Sequence, residues 1–257
     1  MISLKDNIVL ITGASSGIGR ACAHKFAEAG ARLVLMARRK DRLQELGTEL
    51  KQQHGTTSYI VQLDVRDRKA VQQVFNKLPD AWQKVDVLVN NAGLSRGLDK
   101  LHEGSIDDWE EMIDTNVKGL LYVSRAVLPG MVQRKRGTVV NIGSIAGHEV
   151  YPKGNVYAAS KFFVDAITKG TRMDLVDTPI RICTVDPGLV ETEFSMVRFR
   201  GDTERAKKVY QGLRALLPED IADAVYYCAS APPHVQVAEM ILLATNQAST
   251  TLVHREP

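Results

Sequence analysis

The sequence predicts a single α/β domain: a doubly wound sheet of seven parallel strands with helices on both faces. Three observations lead there. β-rich runs recur seven times along the 257 residues, each is continuously apolar with no alternation of polar residues, and helix-like segments separate them. Continuous runs are what strands buried on both faces require, and strand–helix alternation over a whole chain gives parallel pairing. No repeat, low-complexity tract or linker divides the chain, so residues 1–257 read as one domain.

Each element follows in order. "NIVLITG" (7–13) is the first strand and "GRACAHKFAEAG" the helix after it. "RLVLMA" (32–37) is the second, followed by the helical pattern "RKDRLQELGTELKQQ"; "TSYIVQLD" (57–64) and "VDVLVNN" (85–91) are the third and fourth. A long helix over about 107–133 precedes "GTVVNIGS" (137–144), and another over about 155–176 precedes "IRICTVD" (180–186). The stretch 187–217 is the only long irregular one, with a second half of helical composition. Segments of that length inside a compact domain are usually functional lids. "LPEDIADAVYYCAS" opens a new helix, with Pro218 early and Glu219 and Asp220 in the first turn, where acidic groups favour a helix start. "EMILLA" (239–244) completes the set.

Composition narrows the function classes. Thirty-three Lys and Arg against 30 Asp and Glu leave +3, too small a bias for a nucleic-acid or membrane surface. No apolar run reaches spanning length, and the start "MISLKDNIVLITG" lacks the pattern of a signal peptide. Cys22, Cys183 and Cys228 are scattered and odd in number, which fits free thiols in a reducing cytoplasm. The six histidines form no metal-binding pair, so no catalytic metal is expected.

The first strand runs straight into "TGASSGIGR", with Gly13, Gly17 and Gly19. A glycine turn between a first strand and a helix lets backbone N–H groups approach a pyrophosphate, the Rossmann-type arrangement for a dinucleotide. The second strand ends in Ala37, Arg38 and Arg39. No carboxylate stands there to bind the ribose diol of NAD, and two guanidiniums stand ready for a 2′-phosphate, so NADP is the expected cofactor. The plainer alternative is a solvated basic helix cap.

"GNVYAASKFF" (154–163) puts Tyr157 and Lys161 one helical turn apart on one face. Alone, the pair could be a packed ring beside a lysine reaching for water.

Taken with "TGASSGIG", "LDV" (63–65), "NNAG" (90–93), "NV" (116–117), "GSIAG" (143–147) and "PG" (187–188), it makes the chain resemble the short-chain dehydrogenase/reductase family over its whole length. That resemblance implies Asn116, Ser144, Tyr157 and Lys161 as the catalytic set. It implies Gly13, Ser15, Ser16, Gly17, Ile18 and Gly19 as the phosphate loop, with Asp64 and Val65 at the adenine. Asn91, Ala92 and Gly93 form the floor beneath adenine and ribose, and Pro187, Gly188, Val190 and Thr192 the loop at the nicotinamide end. Tyr157 would pass a proton to or from the substrate oxygen, Lys161 would lower its pKa and hold ribose hydroxyls, and Ser144 would bond the substrate oxygen. Asn116 would fix the long helix and a relay water. The plainer roles are a strand-end turn for Ser144 and a backbone-bonded buried amide for Asn116.

The G-x-S-x-G nucleophile elbow of a hydrolase is absent: Ile142 stands where an elbow around Ser144 needs its first glycine. The segments "PGLVETEFSMVRFRGD" and "LVHREP" resemble the NADP-dependent branch acting on serine, allo-threonine and other 3-hydroxy acids. Phe194, Met196 and Phe199 would exclude water, and Arg198 or Arg200 would pair with a substrate carboxylate. Alternatives are a reductase of ketoacyl thioesters, small ketones or aldehydes, and a non-catalytic NADP-binding regulator. Apolar residues on the two long helices (Trp109, Met112, Phe162, Phe163), with the family resemblance, imply a homotetramer.

Overall fold

The computed structural model describes residues 1–256. The strands are β1 Ile8–Thr12, β2 Arg32–Ala37, β3 Ser58–Gln62, β4 Val87–Asn90, β5 Thr138–Ile142, β6 Arg181–Pro187 and β7 Glu239–Leu242. They form one sheet in the order β3-β2-β1-β4-β5-β6-β7, and every pair is parallel. The order reverses between β1 and β4, where Val9 faces Val87. Open α/β sheets place ligands in the crevice outside the carboxyl ends at such a switch point.

The continuous apolar runs divide between two cores. Val9 and Ile11 of β1 face one with Phe26, Leu43 and Val225, while Ile8 and Leu10 face the other with Val71, Val123 and Met131. The first is covered by α1 (Gly17–Glu28), α2 (Lys40–His54) and, near the end of the chain, Pro218–Ser230. Its opposite is covered by α3 (Arg68–Lys77), the short α4 (Asp80–Gln83) and a long helix beginning with α5 (Ile106–Ile113).

That long helix is interrupted. After α5, residues Asp114–Gly119 form a π turn before α6 (Leu120–Arg134) resumes. A π turn inserts an extra residue and re-aims the side chains around it. Helix α7 (Asn155–Asp174) follows β5, and the segment after β6 holds α8 (Phe194–Arg198) and α9 (Thr203–Tyr210) before α10 (Pro218–Ser230). The expected irregular segment is thus half helical. Asp67 caps α3 by accepting from the N–H groups of Lys69 and Ala70, both at 2.9 Å. Among the described residues no helix is long and apolar enough to cross a membrane.

Candidate active site

A cavity of about 660 Å³ runs along the carboxyl ends of the strands, from Arg38 and Arg39 at one end to Ser144 and Tyr157 at the other. At the first end, the loop after β1 is closed against the end of β4. Asn91 donates from Nδ2 to the carbonyls of Thr12 (2.9 Å) and Gly13 (3.2 Å), and Thr12 Oγ1 accepts from the N–H groups of Asn91 and Ala92. A Cβ at Gly13 or Gly19 would come within 2.8 or 2.5 Å of that amide, and Gly13 has φ +66°, so both positions require glycine. Ser16 ends the loop without a side-chain cap on α1, leaving the first N–H groups of that helix for an anion.

The arginines after β2 separate. Arg39 donates to Ser16 Oγ at 2.7 Å and to Ser15 Oγ at 3.2 Å, which lays its guanidinium across the loop. Arg38 is more exposed and lies 3.9 Å from Glu111. Arg42, one turn further along α2, joins Arg39 on Glu193. Its spacing from Arg39 was the available signal in the sequence; Glu193 had none. Asp64 is held by Arg66 through its backbone N–H and guanidinium. Partial burial would raise the Asp64 carboxyl, but these bonds hold it below the usual carboxylate range. Basic groups, free helix N–H donors and a glycine floor together fit a dinucleotide carrying a 2′-phosphate.

At the other end, Ser144 follows β5, accepts from the N–H of Ala146 at 3.1 Å and faces Tyr157. Tyr157 packs its ring edge-on against Phe194, centroids 5.6 Å apart. Lys161, buried one turn along α7, donates to the carbonyl of Ile142 at 2.8 Å. Burial dominates the electrostatics at this end. Burial drives the Tyr157 phenol well above its ordinary value, Tyr151 adds to that, and Ser144 and Arg198 oppose it. The Lys161 ammonium lies 5.9 Å from the Tyr157 ring centroid. Desolvation pulls the lysine itself down to about 8, against the pull of Asp186, and its ammonium is turned toward Ile142.

Asn116 lies in the π turn and does not line the cavity. Its Oδ1 accepts from the N–H of Leu94 (2.9 Å), and its Nδ2 donates to the carbonyl of Leu94 (2.8 Å) and to Ser160 Oγ (3.0 Å). The side chain therefore locks the loop after β4 to α7. Gly19 is likewise behind the cavity wall, while Val65, Gly93, Pro187, Gly188, Val190 and Thr192 all line it.

The two candidate anchors part company. Arg198 lines the cavity, donates from Nε to the carbonyl of Gly97 (3.2 Å), bonds the Tyr151 hydroxyl, and lies 5.6 and 5.7 Å from the ring centroids of Tyr151 and Tyr157. Arg200 does not. The chain turns at α8, Arg200 adopts φ +52°, and its guanidinium pairs with Asp108 outside the cavity. Phe194 and Phe199 line the cavity but Met196 does not. Of the "LVHREP" segment, Val253 and Arg255 line the cavity, and Pro257 lies outside the described residues. Tyr151 was not legible in the sequence.

This fold and site define a nucleotide-binding oxidoreductase architecture, and the short chain dehydrogenase family model matches residues 7–203. The chain belongs to that family. It is 47% identical over 251 residues to the NADP-dependent 3-hydroxy acid dehydrogenase YdfG of Escherichia coli (strain K12), covering 97% of this chain and 100% of that protein. Sulfoacetaldehyde reductase 2 of Chromohalobacter salexigens is 46% identical over 244 residues, 95% of this chain and 96% of its own. The closed form of serine dehydrogenase complexed with NADP+ superposes with a TM-score of 0.90 at 46% identity, over 97% of this chain and 100% of that one.

Proposed function

We propose that this protein is an NADP-dependent oxidoreductase acting on the hydroxyl group of a small 3-hydroxy acid, such as L-serine or L-allo-threonine, or on the matching carbonyl compound. The observation that carries the substrate class is Arg198, a guanidinium inside the cavity against the ring of Tyr157. It offers a substrate carboxylate a planar, two-pronged partner next to the proton-transferring phenol. Names of the similar proteins support the reading.

Bound NADP(H) supplies the hydride acceptor or donor. The remaining work falls to the chain. Arg198 orients the acid, Ser144 bonds the reacting oxygen, and Tyr157 takes or returns its proton. Phe194 and Phe199 keep water from the path. Lys161 and the Pro187–Thr192 loop would hold the ribose and nicotinamide end, and Asn116 keeps the helix in register. In this proposal Asn116 also orders a proton-relay water.

A second reading, reduction of a small anionic aldehyde, is supported by the similarity to sulfoacetaldehyde reductase 2. The same guanidinium suits a sulfonate. Buried, unpaired Cys22, Cys183 and Cys228 support a cytoplasmic setting, which belongs to this proposal.

The test is NADP+ reduction with serine, allo-threonine, other 3-hydroxy acids, their methyl esters and simple alcohols. Acids should exceed their esters by at least about tenfold in kcat/KM, the value of one good charge-assisted bond. Equal activity on acid and ester would remove the carboxylate anchor. NADP+ should be preferred over NAD+ on the order of a hundredfold, two such bonds discounted for exposure. Replacing Arg38 and Arg39 together with Ala37→Asp should reverse that preference.

A further inference from the structure

Glu193 stands at the N-terminal end of α8, in the capping position, yet its side chain makes no cap bond. The carboxylate instead crosses to α2. Oε1 accepts from Arg42 Nη1 at 2.7 Å, while Oε2 accepts from the same nitrogen at 3.0 Å and from Arg39 Nη1 at 3.1 Å. These partners are 154 and 151 residues away in sequence, so the contact joins the end of the second strand to the stem of the lid. Partial burial alone would raise this carboxyl, but hydrogen bonds from Arg42 and Arg39 hold it below its ordinary value. It is an anion at neutral pH. An anion whose oxygens engage two guanidiniums meets the same demand as a phosphate monoester.

We propose that Glu193 is an internal competitor for the 2′-phosphate of NADP and a determinant of cofactor specificity. In the free protein its carboxylate occupies the seat formed by Arg39 and Arg42; an arriving 2′-phosphate exchanges with it and frees the lid stem. The inference rests on the NADP reading above. NAD, with only a hydroxyl at that carbon, has nothing to exchange and leaves the latch closed. Thr192, the neighbour of Glu193, already lies against the glycine loop, since a Cβ on Gly17 would come 3.4 Å from it. Release at Glu193 is therefore felt where the nicotinamide end would bind. The far end of α8 keeps separate ties, through Arg96 to the carbonyl of Val197 and through Gly97 and Arg198.

The latch side chains are 40 to 46% exposed, so the competition is modest. Exposed pairs of this kind shift an equilibrium about threefold to tenfold in combination.

The test measures calorimetric binding of adenosine 2′,5′-bisphosphate and of 5′-AMP to the full chain and to Glu193→Gln, with amide hydrogen exchange over residues 192–210. The wild-type chain should bind the bisphosphate more tightly than 5′-AMP. Glu193→Gln should strengthen the bisphosphate about threefold to tenfold and leave 5′-AMP unchanged. The bisphosphate, but not 5′-AMP, should speed exchange at the lid stem of the wild type; the variant should exchange fast without ligand. Glu193→Ala should behave likewise, which guards against a hydrogen bond kept by glutamine. Unchanged bisphosphate affinity overturns the proposal. So does a rise in affinity with wild-type exchange in the free variant, because the residue would then act only through its charge. A wild type that fails to distinguish the two nucleotides overturns the NADP reading itself, and the latch with it.

Discussion

Tyr157 has to part with a proton during oxidation, yet in the free protein its surroundings hold that proton tightly. Two cations stand by its ring, Arg198 at 5.7 Å and Lys161 at 5.9 Å from the centroid, and the guanidinium opposes the effect of burial. Tyr157→Phe keeps the ring and its packing on Phe194 while removing the proton. Turnover should fall ~10²–10⁴-fold with nucleotide affinity retained, and near-full turnover would remove Tyr157 from the chemistry. Lys161 carries a different liability. Its descent from 10.5 to about 8 means that the folded chain disfavours the ammonium. At about 1.4 kcal/mol per tenfold, that is roughly 3 kcal/mol of destabilisation. Below pH 8 the lysine is protonated in folded and unfolded chains alike, and the cost is fully present. Between pH 8 and 10.5 the folded chain has released the proton and the unfolded chain has not, so stability recovers as pH rises. Lys161→Met should therefore be inactive but more stable at pH 7, by about 1–2 kcal/mol after loss of its bond to Ile142. Thermal denaturation should show that advantage shrinking from pH 8 upward. The sequence placed tyrosine and lysine on one face through their spacing; it could not show desolvation, which depends on everything packed around them.

The long helix shows the same boundary at the scale of an element. Its extent was legible from apolar periodicity over about 107–133, and the structure fills 106–134. The π turn inside it was not, because nothing in local propensity marks a place where one amide bonds a distant loop. Asn116 spends both polar atoms on Leu94 and Ser160, 22 and 44 residues away. Asn116→Ala would leave a buried N–H and carbonyl of Leu94 unpaired, at ~1–3 kcal/mol each. We expect a loss of about 2–4 kcal/mol, read as a lower urea midpoint at unchanged slope. An unchanged midpoint would show that the π turn forms without the amide. The segment after β6 divides similarly. Its helical second half was readable from "PGLVETEFSMVRFRGDTERAKKVY", but which arginine faces inward was set by the turn at Arg200 and by Asp108, contributed from another element.

For the whole molecule, the parallel sheet was legible because the inner runs are apolar on both faces; the edge strands β3 and β7 are only partly buried, with Gln62 and Ile241 exposed. Oligomeric state is a different matter. Met112 proves buried within the chain, while Trp109 is half-buried and keeps part of its surface exposed. Ile106, 65% exposed, and Phe162, 40% exposed, remain on the outer faces of α5 and α7, with Ile113, Leu121 and Met173 exposed on the same run of helices. Apolar residues gathered this way fit an isologous interface between copies, and a homotetramer is the assembly we propose. Sedimentation at micromolar concentration should show it, with Phe162→Glu shifting the distribution toward smaller species; a monomeric wild type would reject it. Strand order has one more consequence, for the making of the protein. β1, synthesised first, ends inside the sheet, and its second neighbour β4 is not translated until Val87. Until then the nascent chain can pair only β1 with β2 and β2 with β3, a half-sheet whose apolar strand β1 is open along one edge, with the basic residues after β2 already in place. Such an edge is a template for pairing with other chains. A ribosome paused between β3 and β4 therefore holds this chain at its stickiest, with its charge for binding phosphate assembled and none of its chemistry yet made.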